Sequence, residues 1–329
     1  MKFCAAKPTT SPLFALWAQE TYTASPARSP QPQNQKQQKG HAMPVDLVCG
    51  VTGAELTTLS VGGQIERLYL PRSVDDLADI WAQLNAENLR PFLIGAGSNL
   101  LISDEGVASP VVSTRMLTRV RFEGDVVEAE AGLSLQRLVK MCAERGLSGL
   151  EGLVGIPASV GGAVAMNAGG RWGCIGDVVE SAEFLLPSGE LVRRSRRNMR
   201  FSYRCGPQKR GEVITRIRLR LKRADADTVW ARMRAILRKK VARQPLSAKS
   251  AGCIFKNPDG LSAGYLIERV GMKGARAGGA VVSRQHANFI LNRGGAKCTD
   301  ILALMREIVR RVEECFGIKL QPEVIRIGG

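Results

Sequence analysis

The run GIPASVGGAVAMNAGG, Gly155 to Gly170, constrains this chain more than any other stretch. Two glycine clusters, Gly161–Gly162 and Gly169–Gly170, flank residues that are nearly all small or apolar. Backbone this bare either threads a closely packed β lobe as a pair of turns or lies flat along an extended ligand, since only missing side chains permit so close an approach. A second dense patch, IGAGSNLL from Ile94 to Leu101, directly follows the apolar run RPFL. Amides bared by Gly95, Gly97 and Ser98 can curl into an anion-binding concavity, with no Cβ to hold a pyrophosphate off. The patch is not a G-x-G-x-x-G fingerprint and no P-loop lysine follows, so an ordinary tight turn reads equally well. Two such loops in a chain without a metal site point to a large phosphorylated cofactor.

The absence of a metal site rests on composition. The eight cysteines form no C-x-x-C pair, and His41 and His286 are the only imidazoles. A reduced, cytoplasmic protein is the simplest expectation. The chain has 329 residues, 44% hydrophobic and 5% aromatic, enough for a sizeable core in two or three lobes. Its formal charge of +17 attracts polyanions without choosing among nucleic acid, anionic membrane and phosphorylated ligands.

Residues 1–45 are rich in Pro, Gln, Ser and Thr and almost free of acids, a composition expected to stay disordered. The run PLFALWA is a feeble export signal, short and without a clear cleavage site, and Met43 is an initiator of at least equal standing. No run approaches the roughly 20 apolar residues of a membrane span.

The expected folded part opens on the strand ERLYL, then Ser73 as a helix cap, with Val74, Leu77, Trp81 and Leu84 on one face. RPFLI returns as a strand, which completes a β-α-β unit. After Gly106 short strands dominate, with one helix from Ser134 to Arg145 and a hairpin of AEFLL and ELVRR. In EVITRIRLRLK, Val213, Thr215, Ile217, Leu219 and Leu221 alternate with Arg216, Arg218, Arg220 and Lys222, so the arginines read as a solvated strand face. A helix from about Asp225 has Trp230, Met233, Leu237 and Val241 as its core stripe. A last helix from Thr299 carries Ile301, Leu304, Met305, Ile308, Val312 and Cys315 and ends at Gly317. The expected fold class is α+β, with boundaries near 106 and 224.

Taken in order, PFLIGAGSNLLISDEG, GLEGLVGIPASVGGAVAMNAGG, SYRCG, SAGCIFKNP, VVSRQHANFILN and QPEVIRIG resemble the UDP-N-acetylenolpyruvoylglucosamine reductases of peptidoglycan synthesis, from about Thr57 to Gly328. The resemblance implies a two-lobed FAD-binding domain of the vanillyl-alcohol-oxidase type over 46–224. A separate α+β substrate-binding domain follows over 225–318, then a C-terminal segment over 319–329. It implies that NADPH reduces FAD and leaves, and that the enolpyruvyl ether of the UDP-sugar is then reduced to the lactyl ether of UDP-N-acetylmuramate. A monomer is expected, with neither nucleic acid nor membrane as partner. The short segment after MNAGG matches the compact subgroup that lacks an inserted substrate-covering loop.

By the same resemblance Ile94, Gly95, Ala96, Gly97, Ser98, Asn99 and Leu100 cradle the FAD pyrophosphate. Gly155, Ile156, Pro157, Ser159, Val160, Gly161 and Gly162 lie along the cofactor, as do Asn167, Ala168, Gly169, Tyr203 and Ile214. Tyr203, Arg243, Lys256, Asn257, His286 and Asn288 are the implied substrate contacts, with a packed core histidine an equal reading for His286. Three catalytic positions carry over: Arg204 from the Y-R motif, Glu323 from P-E-V, and Cys253, which stands where the family's proton donor is usually serine. Hydride added to the terminal alkene carbon leaves an enolate, which Arg204 can hold by its carboxylate through paired N–H donors. Glu323 is expected to be protonated beside that charge, or to orient a donor. A thiol with an ordinary pKa of about 8.5 then supplies the proton far more readily than serine, and a partly exposed one is open to alkylation.

Two other readings share parts of this sequence. A flavin oxidase of the same scaffold needs the glycine loops but not SAGC or QPEV. A nucleic-acid binder would use RRSRRNMR, Arg193 to Arg200, and the helix around Arg232 to Arg243, although no aromatic platform interleaves with them.

Overall fold

The computed structural model describes residues 46–329; the expected disordered tail, 1–45, lies outside them. Strand β1 (Asp46–Val48) pairs antiparallel with β2 (Leu68–Leu70). Helix α1 (Val74–Ala86) begins at Ser73, whose side chain accepts the Asp76 amide at 3.0 Å while the Asp76 carboxylate accepts the Ser73 amide at 3.0 Å. That reciprocal cap fixes where the helix starts. Val74, Leu77, Ile80, Trp81 and Leu84 are buried, each worth roughly 1.5–3 kcal/mol before chain entropy opposes it. The chain returns as β3 (Phe92–Ile94), then continues through β4 (Leu100–Ile102) to β5 (Val111–Ser113). β5 lies between β2 and β3, parallel to both, so the expected β-α-β unit has a later strand in its middle.

The second lobe follows from β6 (Val120–Glu123) and β7 (Val126–Glu130). Helix α2 (Leu135–Glu144) is capped by Ser134, and Gly146 at φ +62° turns the chain away after it. Next come helix α3 (Val160–Ala165), the short pair β8 (Gly169–Gly170) and β9 (Gly173–Cys174), the hairpin β10 (Val179–Leu185) and β11 (Leu191–Ser195), and β12 (Val213–Arg220). The five-stranded antiparallel sheet runs β11-β10-β12-β7-β6. Val213, Thr215, Ile217 and Leu219 point into it. Their neighbours meet carboxylates: Arg216 reaches Glu183 at 3.0 Å, Arg218 reaches Glu180 at 2.9 Å and Glu123 at 3.1 Å, and Arg220 reaches Glu180 at 2.5 Å. Arg193 and Arg194 pair likewise with Glu128 and Glu212. The arginines of β12, and Arg193 and Arg194 of the hairpin, are therefore paired with acids of the protein itself.

Helix α4 (Ala226–Val241) starts where Asp225 accepts the Thr228 amide at 2.8 Å. Its buried residues are Val229, Met233 and Lys240; of the stripe expected from sequence, Trp230, Leu237 and Val241 are only half-buried. The helix packs on α2 and on Glu151–Leu153, so the chain just past residue 224 still covers the second lobe. The C-terminal part comprises α5 (Ala263–Arg269), the antiparallel sheet β13 (Arg276–Ala277), β14 (Ala280–Val282) and β15 (Ile290–Asn292), and α6 (Cys298–Phe316), which ends at Gly317 with φ +67°. Cys315, expected on the core stripe of α6, is exposed.

Strand β16 (Ile325–Ile327) runs back to the first lobe and pairs parallel with β4. Leu59, Val61 and Leu101 of that lobe share one core with Ile254, Phe255, Ile301 and Ile308. The Asp104 carboxylate accepts the amides of Cys298 at 2.6 Å and Thr299 at 2.9 Å, capping α6 from the first lobe. First lobe and C-terminal part thus make one wall of a cleft and the second lobe the other. Among the described residues no helix is long and apolar enough to cross a membrane, and no cluster of His, Cys, Asp and Glu is arranged for a metal.

Candidate active site

The cleft holds about 810 Å³, within the range of sites that enclose sizeable ligands, and both glycine segments line it. Gly97 has φ +69°, and a Cβ there would collide with the Leu56 carbonyl; a Cβ on Gly95 would strike Ser159 Oγ. Carbonyls of this loop are held from outside: Arg115 donates to Gly95 O at 3.3 Å and to Leu56 O at 2.5 Å, and Thr58 N donates to Gly97 O at 3.3 Å. Among the described residues the amides of Ala96, Gly97 and Ser98 donate to no protein acceptor. The loop therefore offers donors to the cleft, as an anion nest does. Asn99 ties it to the C-terminal segment, donating to Glu323 O at 3.0 Å and accepting from Ile325 N at 2.9 Å.

The second segment is not the pair of turns that its glycines suggest. It forms helix α3, capped by Ser159, whose Oγ accepts the Gly162 amide at 3.2 Å. A Cβ on Gly161 would stand 2.6 Å from the Ala131 Cβ, so glycine lets the helix press onto the chain leaving β7. Gln136 secures the approach, accepting from Gly155 N at 2.8 Å and donating to Ile156 O at 2.8 Å.

Three residues far apart in sequence meet at this cleft. Arg204 sits in a tight turn between Ser202 and Cys205 with φ +55°, a left-handed conformation that costs a non-glycine residue about 1–3 kcal/mol and is common where function demands it. Its Nη1 donates to Gly169 O at 3.0 Å, and its Nε lies 2.6 Å from Glu323 Oε1. Cys253 lies on a loop clamped by Asn288: Ile254 N donates to Asn288 O at 2.9 Å, Phe255 N to Asn288 Oδ1 at 2.9 Å, and Asn288 Nδ2 to Phe255 O at 2.8 Å. The same loop holds the C-terminal segment, with Glu323 N donating to Ile254 O at 2.8 Å and Lys256 N to Gln321 O at 2.9 Å.

The charges of the three are coupled. Burial pushes the Cys253 thiol up to about 12; Glu323 adds to the rise and Arg204 opposes it. The thiol is a weaker acid than the ordinary cysteine expected from sequence, and it is fully protonated near neutrality. Burial also raises Glu323, against the pull of Arg204 and Lys256. Burial works against the charge on Arg204, but Glu323 outweighs it and the guanidinium is held charged. Glu323 Oε2 is buried without a hydrogen-bond partner among the described residues.

Residues 65–195 match the family described as an FAD binding domain, and residues 244–327 match the C-terminal domain of UDP-N-acetylenolpyruvoylglucosamine reductase. A reductase of that name from Desulfosudis oleivorans is 40% identical over 286 residues, covering 83% of this chain and 91% of its own. One from a Synechococcus is 42% identical over 279 residues, covering 83% and 92%. The crystal structure of the Thermus caldophilus enzyme superposes with a TM-score of 0.75 at 38% identity, over 86% of this chain and all of that one. The chain belongs to the UDP-N-acetylenolpyruvoylglucosamine reductase family.

The FAD expected in this family fits the residues present. Free amides at Ala96, Gly97 and Ser98 suit a diphosphate, and Gly97 at φ +69° lets the loop take the close turn that bares them. Of the cofactor contacts implied by sequence, Gly95 to Leu100, Gly155, Ile156, Pro157, Ser159, Gly161, Gly162, Ala168, Gly169 and Ile214 line the cleft. Ile94 and Val160 do not; both are fully buried. Asn167, at φ +42°, spends its side chain on Gly176 N at 3.1 Å and Ser202 O at 3.0 Å, shaping the turn before Arg204 instead of facing the cleft.

Among the family's implied substrate contacts, Arg243, Asn257, His286 and Asn288 line the cleft, while Tyr203 and Lys256 do not. Tyr203 is an exposed rim residue whose hydroxyl accepts from Asn257 N at 3.2 Å. Asn288 has both ends of its amide engaged with Phe255, so it shapes the Cys253 loop. His286 is lowered by burial and then by Lys273, and its neutral Nδ1 accepts from Asn288 N at 3.3 Å. Sequence reasoning missed Lys240. It is buried on α4, donates to Gly152 O at 2.8 Å and Val154 O at 2.7 Å, and is pushed down to about 8 by burial. Its register with Val229, Met233 and Ile236 was the available signal, since a lysine there points into the core-facing stripe.

Proposed function

We propose that this chain reduces UDP-N-acetylenolpyruvoylglucosamine to UDP-N-acetylmuramate, with FAD as resident cofactor and NADPH as reductant. Held by the amides of Ala96, Gly97 and Ser98 and along Gly155 to Gly169, FAD would supply hydride transfer from NADPH to the terminal carbon of the substrate alkene. The observation that carries the reading is the meeting of Arg204, Cys253 and Glu323 at one cleft whose other parts fit a dinucleotide.

Arg204 binds the substrate carboxylate, and its fixed charge favours the form in which negative charge has moved onto that group. Glu323 holds Arg204 in place, and its unpartnered Oε2 is free to hydrogen-bond the substrate. Burial raises this carboxyl group against the pull of Arg204, the direction that eases its taking up a proton as negative charge builds on the substrate. The Cys253 S–H bond breaks as the new C–H bond forms at the carbon bearing the carboxylate. The thiolate left behind is stabilised by Arg204 and regains a proton from water after product leaves. A thiol raised to about 12 remains far more acidic than a serine hydroxyl. Arg243, which lines the cleft, attracts the diphosphate.

In this reading residues 46–224 carry FAD, 225–318 the sugar nucleotide and 319–329 the catalytic glutamate, with α4 serving both of the first two. The enzyme acts as a cytoplasmic monomer, which sedimentation checks. The decisive test is spectral. Purified protein is expected to be yellow near 450 nm, to bleach anaerobically with NADPH, and to recover its colour on addition of the enolpyruvyl sugar nucleotide. Recovery only with oxygen would reject the reading in favour of an oxidase.

A further inference from the structure

Five cations, Arg171, Arg204, Lys239, Lys240 and Arg243, line the cleft together with two carboxylates, Glu212 and Glu323. Both carboxylates are engaged. Glu212 accepts from Arg194 at 2.6 and 2.7 Å and from Lys209 N at 2.8 Å, and Glu323 pairs with Arg204 at 2.6 Å. Arg171, Lys239, Lys240 and Arg243 therefore face the cleft with no carboxylate in ion-pair range among the described residues.

Two of the four flank one indole. Trp172 lies in the turn between β8 and β9, with the Arg171 guanidinium 4.9 Å and the Lys240 ammonium 5.6 Å from its ring centre. Lys240 is fixed by the carbonyls of Gly152 and Val154. Lys239 precedes it on α4, and Arg243 follows one turn later, its amide donating to Lys240 O at 3.0 Å. Like charges so close repel, and a dianion placed among them relieves that repulsion.

The proposed reaction supplies such a dianion. The sugar nucleotide brings a carboxylate, matched to Arg204, and a diphosphate, matched to Arg243. The FAD diphosphate meets the amides of residues 96–98. NADPH, which binds and leaves before the sugar nucleotide enters, brings a diphosphate that can use the same Arg243 in turn, and one further group, a 2′-phosphate of about −1.5 to −2 at neutral pH, which has no partner in that scheme. Arg171 and Lys239, the cleft cations that scheme leaves without a partner, match the unassigned anion. Resting on the proposed reaction, we propose that Arg171, supported by Lys239, reads the 2′-phosphate and so sets a preference for NADPH over NADH. Arg171 is exposed at the tip of its turn, its guanidinium presents a planar fork suited to phosphate oxygens, and stacking on Trp172 limits its swing.

The test titrates FAD-loaded protein with adenosine 2′,5′-bisphosphate and with 5′-AMP by calorimetry, ligands that differ only in the 2′-phosphate. Wild type is expected to bind the bisphosphate more tightly. Arg171→Met should weaken it about 10- to 100-fold, the usual worth of hydrogen bonds to a charged group, with 5′-AMP changed less than about twofold. Arg171→Lys should fall between them. In anaerobic stopped flow the same Arg171→Met protein should need about 10- to 100-fold more NADPH for half-maximal flavin bleaching, and unchanged NADH. Equal binding of the two ligands by wild type, equal losses for both in the variant, or no loss for either would overturn the assignment. Because the titrations do not need turnover, failure of NADPH to bleach the wild-type flavin would count against the proposed reaction and leave Arg171 separately judged.

Discussion

A thiol pushed up to about 12 is scarcely ionised at neutral pH, which removes the reactivity toward alkylating agents that sequence alone suggested for Cys253. The exposed thiols of Cys49, Cys205 and Cys315 should be carbamidomethylated by iodoacetamide at pH 7.5 well before Cys253, as peptide mass spectrometry would report. Labelling of Cys253 first would mean that the sulfur is a thiolate and not a store for a proton. Lys240 makes a second prediction at this scale. Burial lowers its pKa from 10.5 to about 8, so between those values the unfolded chain binds more protons than the folded one. Stability must therefore rise with pH across that window, and the penalty of the buried charge is fully present below about pH 8. Relative to Lys240→Met, wild type should gain roughly 3 kcal/mol of unfolding free energy from pH 8 to 10.5, measured by urea titration. A gap that stays constant with pH would contradict a buried ammonium at this position.

At the level of elements, the loop of Cys253 is held by the Asn288 side chain, and its Ile254 carbonyl in turn accepts the Glu323 amide. Asn288 makes two buried bonds to Phe255, each worth about 1–3 kcal/mol when its loss leaves the partner unsatisfied. Asn288→Ala should lower the unfolding midpoint and slow flavin reoxidation by substrate while sparing reduction by NADPH; a variant that loses stability with both half-reactions intact would show that the clamp does not position the thiol. Much of the element structure was legible. Ser73 and Asp225 announced their helices because an N-cap acts within three residues, and the alternation in β12 announced a strand with one buried face. Helix α3 was hidden because VGGAVA carries two glycines, whose low propensity is overcome only by packing on Ala131. Trp230, Leu237 and Val241 were placed on the core side of α4 because periodicity gives a face but not which neighbour covers it. The roles of Asn167 and Asn288 were read as ligand contacts for a similar reason: the residues they bond lie far along the chain or across the cleft.

At the scale of the whole molecule, the first lobe and the C-terminal part behave as one body. Asn292 donates to Leu59 O and Ser60 O at 3.0 Å, Thr58 donates to Ser250 O at 2.7 Å, and β16 pairs with β4. The second lobe, carrying Arg204 and the corner around Trp172, forms the opposite wall, so Arg204, Cys253 and Glu323 come from both sides of the cleft and meet only when the chain is fully folded. None of this assembly is visible in local pattern; the six ordered motifs made it legible only through the family they resemble. The account stands or falls on where Cys253 acts, and single-turnover kinetics of Cys253→Ala tests it most directly. Bleaching by NADPH should proceed at nearly the wild-type rate, while recovery of colour with the enolpyruvyl sugar nucleotide should slow by about 10²- to 10⁴-fold, the usual contribution of a positioned acid. Recovery at the wild-type rate would contradict the proposed proton donor, and an equal loss in both steps would reduce Cys253 to a structural part of the cleft.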